Sequence, residues 1–311
     1  MNWLSLLGSM EGAVAQGLFY AVFALGVYIT YKILDVADLT VDGSIVTGGA
    51  VAAVCIANGM NAVLAVFLAF LAGLVAGAIT GFFHITLGIP AILAGILTQL
   101  SLYSINLGIM GGPNAKVSSR EFSVIVKLSN NTQSLLVGLL FVVAVIALLY
   151  WFFGTEFGSS LRSTGANPHM SRAQGINTNF TTLFGLMLSN GFVAMAGGLF
   201  AQYNGNSDIN FGRGAIVIGL ASVIIGSVLC DAIFKKRANF AVKLAFVALG
   251  SVIYQMITML IIQIGLPTDY LKLFSAVLVA IFLSLPYLKG KYFHTKKGKG
   301  GHGHAYTERH S

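Results

Sequence analysis

Charged residues are scarce in this chain: only 9% of its 311 residues are Asp, Glu, Lys or Arg, against roughly a quarter in a soluble globular domain. With 56% hydrophobic residues and a mean hydropathy of +0.84, that scarcity excludes a water-soluble globule. Cysteine is nearly absent. Cys55 and Cys230 lie inside apolar runs in opposite halves of the chain and read as small buried hydrophobes, not as a disulfide or metal pair. Motifs for chemistry are missing too. There is no G-x-x-x-x-G-K-[ST] phosphate loop, no H-E-x-x-H and no G-x-S-x-G. No catalytic residue or metal site is therefore assigned, and the chain is not expected to hydrolyse ATP. Ionisable groups are also rare at the centres of the apolar runs. Lys32, Asp231, Lys243 and Lys272 sit near run ends, where long side chains can snorkel, and His84 lies at another end. A proton-coupled carrier usually needs a buried Asp, Glu or His relay, and none is evident.

What the chain has instead is long apolar runs of roughly the 20 residues that cross a bilayer. They fall at 13–33, 44–58, 61–83, 89–110, 134–153, 181–203, 214–234, 240–264 and 270–288. They lack the polar alternation of barrel strands, and helices are the other way to satisfy a backbone in lipid. The expected fold is all-α: a polytopic membrane helix bundle of about nine spans, with a broken or re-entrant, glycine-rich second span. Residues 1–288 make the transmembrane domain, and 289–311 a basic, His-containing flexible tail. The N-terminus lacks a positive n-region and a small-residue cleavage site, so the first run is expected to be retained as a span.

Positive charge sets the orientation. Lys289, Lys291, Lys296, Lys297, Lys299 and Arg309 fill the tail, and 235-KKR-237 closes the seventh run. Both lie inside if nine spans start from an external N-terminus, which makes the C-terminus cytoplasmic. Lys116, Arg120 and Lys127 in the 111–133 connection dissent. That connection carries an amphipathic patch (Phe122, Val124, Ile125, Val126, Leu128) suited to the bilayer surface. The net charge of +8 follows from this inside bias, and no nucleic-acid partner is implied. The tail histidines, His294 and those of 302-HGHAYTERH-310, are read as solvated rather than metal-binding.

Two segments echo each other: 38-DLTVDGSIVTGGAVAAV-54 and 208-DINFGRGAIVIGLASVI-224. Each follows an apolar run, opens with Asp and turns through glycine into a small-residue helix. Because they fall on opposite sides of the topology, their parent units form an inverted internal repeat, a common transporter plan. Gly73, Gly77 and Gly81 put three close-packing positions on one helix face. Neutral polar residues, among them Gln16, Thr98, Ser101, Ser189 and Gln263, are spread through the runs and suggest a polar, uncharged route. The candidate pathway residues are Asp42, Gly43, Gln99, Asn106, Asn190 and Gln255.

One polar insert stands out, 158-GSSLRSTGANPHMSRAQGINT-178. It has a turn signal at Asn167-Pro168 and a short helical pattern that Gly175 can close. The insert resembles the cytoplasmic loop of ABC-importer permeases of the branched-chain amino acid, ribose and simple-sugar superfamily. Gly158, Leu161, Arg162, Gly165, Asn167, Pro168, Ser171, Arg172, Gly175 and Ile176 fill that family's pattern, while Ser163 and Ser171 stand where alanine is commoner. The segment 38-DLTVDGS-44 is similar to one in a subgroup of largely uncharacterised importers, some associated with tryptophan or other aromatic amino acids.

The resemblance implies a bacterial cytoplasmic-membrane permease whose loop, within 154–180, contacts a cytoplasmic ABC ATPase subunit that uses ATP and Mg. It also implies an extracytoplasmic substrate-binding protein and a second permease copy as partners, with membrane lipid around them. Arg162, Gly165, Asn167, Pro168, Arg172, Gly175 and Ile176 would form the ATPase-coupling loop. A self-contained carrier or channel, or a permease for a sugar or nucleoside, is the alternative that the residues leave open.

Overall fold

The computed structural model describes residues 3–117, 124–126, 131–234 and 238–263, together with 273–274, 276–277, 279–281 and 284. Helix α1 (Trp3–Tyr28) runs on into a wider π-helical stretch, Ile29–Leu34, which ends at Asp35 in the left-handed conformation (φ 55°). Residues 36–40 leave the helix, and α2 (Val41–Ala57) starts afresh. Then come α3 (Ala62–Ile85), α4 (Ala91–Met110) and the short strand β1 (Asn114–Lys116). The middle of the chain forms α5 (Asn131–Gly154), α6 (Glu156–Ala166) and α7 (Pro168–Ala173). After them run α8 (Thr178–Asn204), strand β2 (Asn206–Asp208), α9 (Ala215–Phe234) and α10 (Phe240–Gln263).

Among the described residues, seven helical segments are long and apolar enough to cross a membrane, the first spanning Met10–Leu34. The 17-residue α2 is apolar but too short to cross alone, as expected for a broken second span. The run at 270–288 falls largely outside the described residues, although Val279 packs with Ala221, Ile225 and Tyr254. The described residues form an all-α, polytopic bundle with one two-stranded ribbon.

Helices α1 and α8 form its centre and run antiparallel. Gly26 and Thr30 meet Ser189, while Phe19 meets Phe200 and Tyr203 farther along. Helix α3 lies along α8, with Gly73 on the Asn190 carbonyl, Gly77 on the Leu186 carbonyl and Gly81 on Leu183. In the same way α10 lies along α1, with Val252 against Gly17 and Phe240 beside Tyr28. The third helix of each half therefore covers the first helix of the other half. Two inverted copies related by a two-fold axis between α1 and α8 give this exchange. The local turns match as well: Asp38 Oδ1 accepts the Thr40 N–H at 2.9 Å, and Asp208 Oδ1 accepts the Asn210 N–H at 2.6 Å.

Contacts also sort the two ends. The α6–α7 segment packs on Ile33 and Thr181 and lies beside Phe240, so it shares an end with the start of α10. The β1–β2 ribbon, pairing Ala115 with Ser207, closes the opposite end after α8. The structure corrects one expectation here. Val124 and Val126 do not lie on a bilayer surface: both are buried in the protein, and the Ile125 N–H donates to Gln202 Oε1 at 3.1 Å. An extended segment needs such partners, because its backbone has no helix to pair it. Arg120, Phe122, Lys127, Leu128 and the histidine tail lie outside the described residues.

Candidate functional site

The polar insert folds as two short helices held firmly to the bundle. Thr155 caps α6 by accepting the Gly158 N–H at 3.2 Å. Leu161 and Thr164 are buried, and the Thr164 hydroxyl meets that of Thr181 on α8 at 2.9 Å. Gly165 sits so close to the Ile33 carbonyl that any Cβ would overlap it. Beyond α6 the backbone extends at Asn167 (φ −158°), whose Oδ1 accepts the Met170 N–H at 3.0 Å. Pro168 follows at the first helical position, where no N–H is needed. Gly175 turns left-handed (φ 84°) to end α7, and the Arg172 Nε donates to Thr178 Oγ1 at 2.8 Å, tying α7 to the start of α8. His169, Met170, Arg172 and Ala173 stay exposed, Met170 by 58%. Arg162 is exposed as well, yet its guanidinium lies 5.7 Å from the Phe240 ring centre and braces the bundle end.

A second polar assembly lies deep in the bundle. Helix α2 starts near the middle of the 27-residue α8, where the Ser44 hydroxyl donates to Asn190 Oδ1 at 2.6 Å. The Asn190 Nδ2 donates to Asp38 Oδ2 at 2.7 Å. The hydroxyls of Thr40, Thr80 and Thr98 form a chain at 2.7 and 3.0 Å. Helix α9 begins beside this junction. Asp42 Oδ2 accepts the Gly214 N–H at 3.0 Å and Oδ1 accepts the Ile216 N–H at 2.7 Å. Gly212 lies against the Asp42 carbonyl with no room for a Cβ. Two helices of opposite repeats thus start side by side within the bundle, the arrangement of interrupted helices in transporters. The expected scarcity of ionisable groups in the interior needs correction: Asp38 and Asp42 are both buried. They belong to the non-helical entry and its first turn, which hydropathy over a whole run does not single out.

Beside Asp42 opens a cavity of about 360 Å³, within the range of small-ligand sites. Asp42, Gln99, Asn106 and Arg213 supply its polar wall, and Val46, Leu100, Tyr103 and Ile209 its apolar wall. The Asn106 side chain is buried, with its Nδ2 3.5 Å from the Gly43 carbonyl and its Oδ1 without a partner.

The family model described as "Branched-chain amino acid transport system / permease component" matches residues 9–283. The chain belongs to that permease family. A tyrosine transport system permease protein of Clostridioides difficile (strain R20291) is 39% identical over 278 residues, covering 89% of this chain and 91% of the relative. An uncharacterized protein, RP368, of Rickettsia prowazekii (strain Madrid E) is 34% identical over 88% of this chain and 95% of its own length. The fructose import permease protein FruF of Bifidobacterium longum (strain NCC 2705) is 26% identical over 90% and 79%, respectively. No solved structure matches the chain. The tyrosine and fructose relatives are named as permeases, and the chain is a multi-pass membrane permease, not an enzyme.

Within this permease, the expected pathway residues divide. Asp42, Gly43, Gln99 and Asn106 meet around the cavity. Asn190 is engaged with Asp38 and Ser44 instead. Gln255 is buried on α10, which packs on α1 and α9, and does not line the cavity. Sequence reasoning missed Arg213, Tyr103 and the threonine chain. The repeat held the signal for Arg213, because its segment aligns with the one that carries Asp42. The two loop serines that depart from the family pattern explain each other: Ser163 Oγ and Ser171 Oγ are 2.8 Å apart.

Proposed function

We propose that this permease is the membrane-spanning subunit of an ATP-driven importer for an amino acid with an aromatic side chain. It would receive substrate from an extracytoplasmic binding protein and work with a cytoplasmic ATPase and a second permease copy. The observation that carries the importer reading is α7, a capped helix fastened at both ends that holds His169, Met170 and Arg172 out at the end of the bundle. Only a rigid element transmits a displacement, and here both anchors lead inward. Gly165 bears on Ile33 and Thr164 on Thr181. Ile33 lies just before the connector that carries Asp38, and Asp38 leads through Asn190 to Ser44 on α2. A push on α7 by ATP-driven closure of the partner would thus reach the junction where α2 and α9 begin.

The start of α10, which follows the basic 235-KKR-237 in the sequence, shares an end with α6 through Phe240 and Arg162, which supports a cytoplasmic position for that end and an external N-terminus. The name of the tyrosine permease relative and the greater identity to it than to the fructose permease favour an aromatic amino acid over a sugar. The test is uptake into proteoliposomes that hold the chain with its ATPase and binding protein. The reading predicts ATP-dependent tyrosine uptake, lost in Arg172→Glu and reduced less in Thr178→Val, which removes only the internal bond. Uptake that needs no ATPase, driven by a sodium or proton gradient, would refute it.

A further inference from the structure

Asp42 and Arg213 line the same cavity without pairing with each other. Among the described residues, none forms an ion pair or side-chain hydrogen bond with the Arg213 guanidinium. The Asp42 oxygens each accept one backbone N–H, and a carboxylate has roughly four acceptor positions. Asn106 Oδ1 is a buried acceptor with no donor, a condition that few native polar atoms tolerate. The rest of the lining includes the apolar Val46, Leu100 and Ile209 and the ring-bearing Tyr103.

We infer that this cavity is a substrate subsite of the permease itself, shaped for the zwitterionic head and apolar side chain of an L-amino acid. Arg213 receives the carboxylate as a forked pair of hydrogen bonds. The ammonium group neutralises the remaining acceptor capacity of Asp42 and, with a rotation of the Asn106 side chain, supplies the donor that its buried Oδ1 lacks. The side chain rests on Leu100, Ile209 and Tyr103. A sugar has neither charge and leaves both Arg213 and Asp42 uncompensated. The cavity adjoins the start of α2 and α9, so a ligand there touches both inverted halves at once. The inference rests on the importer reading for its choice of amino acids.

The test is direct binding to the full-length chain in lipid nanodiscs, without binding protein, using tritiated L-phenylalanine as probe. L-Tyrosine, L-leucine, phenethylamine (no carboxylate) and 3-phenylpropionate (no ammonium) serve as competitors. The wild type should bind the amino acids and hold either truncated analogue at least tenfold more weakly. Arg213→Gln, at an exposed position, should weaken the amino acids and 3-phenylpropionate at least tenfold while leaving phenethylamine within twofold. Asn106→Leu should weaken the amino acids and phenethylamine. No binding by the wild type at millimolar concentration overturns the inference, as does an Arg213→Gln chain that binds like the wild type. ATP-dependent uptake is measured separately, so a failed subsite with intact uptake leaves the importer reading standing, and lost uptake with intact binding does the reverse.

Discussion

Asp42 on α2 accepts the backbone N–H of Ile216 on α9 at 2.7 Å, so one carboxylate of the first half sets where a helix of the second half begins. Its other oxygen holds the Gly214 N–H. Hydrogen bonds to a charged group contribute about 1.5–3 kcal/mol each. Asp42→Ala removes both and leaves the partly buried Gly214 and Ile216 N–H groups without their side-chain acceptor. It should lower the unfolding temperature in detergent by several degrees. Asp42→Asn keeps one acceptor and should fall between Ala and wild type. Equal melting curves for all three chains would show that α9 starts without this cap.

Close helix packing makes the next prediction. A Cβ at Gly197 would overlap the Ile45 carbonyl, and one at Gly48 would overlap that of Ala194. Gly197→Ala and Gly48→Ala should therefore force α2 from α8 and cut the yield of monodisperse protein in size-exclusion chromatography. Gly108→Ala, where nothing lies within 4 Å, is the control and should match wild type. Overpacking a tight interface costs about 1–3 kcal/mol, enough to separate these cases.

The serine pair in the loop offers a cleaner energy. With Ser163 and Ser171 hydroxyls 2.8 Å apart, a double-mutant cycle of Ser163→Ala and Ser171→Ala should show a coupling of about 0.5–1.5 kcal/mol. The double variant restores the alanines common in the family's pattern, so it should be closer to wild type than the sum of the single changes. Strict additivity would mean that the two hydroxyls do not bond in solution.

Much of this architecture was legible in the residues. The helical runs, the short second helix and the inverted halves follow from hydropathy, length and the Asp-to-glycine repeat, because lipid leaves a backbone few choices. Helix α7 was legible too, since Asn167, Pro168 and Gly175 each have a local reason to start or stop a helix. What depended on tertiary contact was not. Asn190 and Gln255 are both polar residues in apolar runs, and nothing in the runs shows that one joins Asp38 and the other does not line the cavity. Arg213 lies in a connection outside the apolar runs, and only the return of the chain to Asp42 brings it to the cavity. Val124 and Val126 had the pattern of a surface-seeking patch, but Gln202 and neighbouring helices supplied a better place for them.

The central claim is that α7 meets an ATPase. The most direct measurement places a photocrosslinking amino acid at Met170, 58% exposed on α7, and in a second chain at Val63, 59% exposed at the opposite end of the bundle. After irradiation in native membranes, the Met170 chain should carry an adduct whose peptides contain a phosphate-loop ATPase, and the Val63 chain should not. An ATPase adduct from Val63 but not from Met170, or from neither position, would contradict the account.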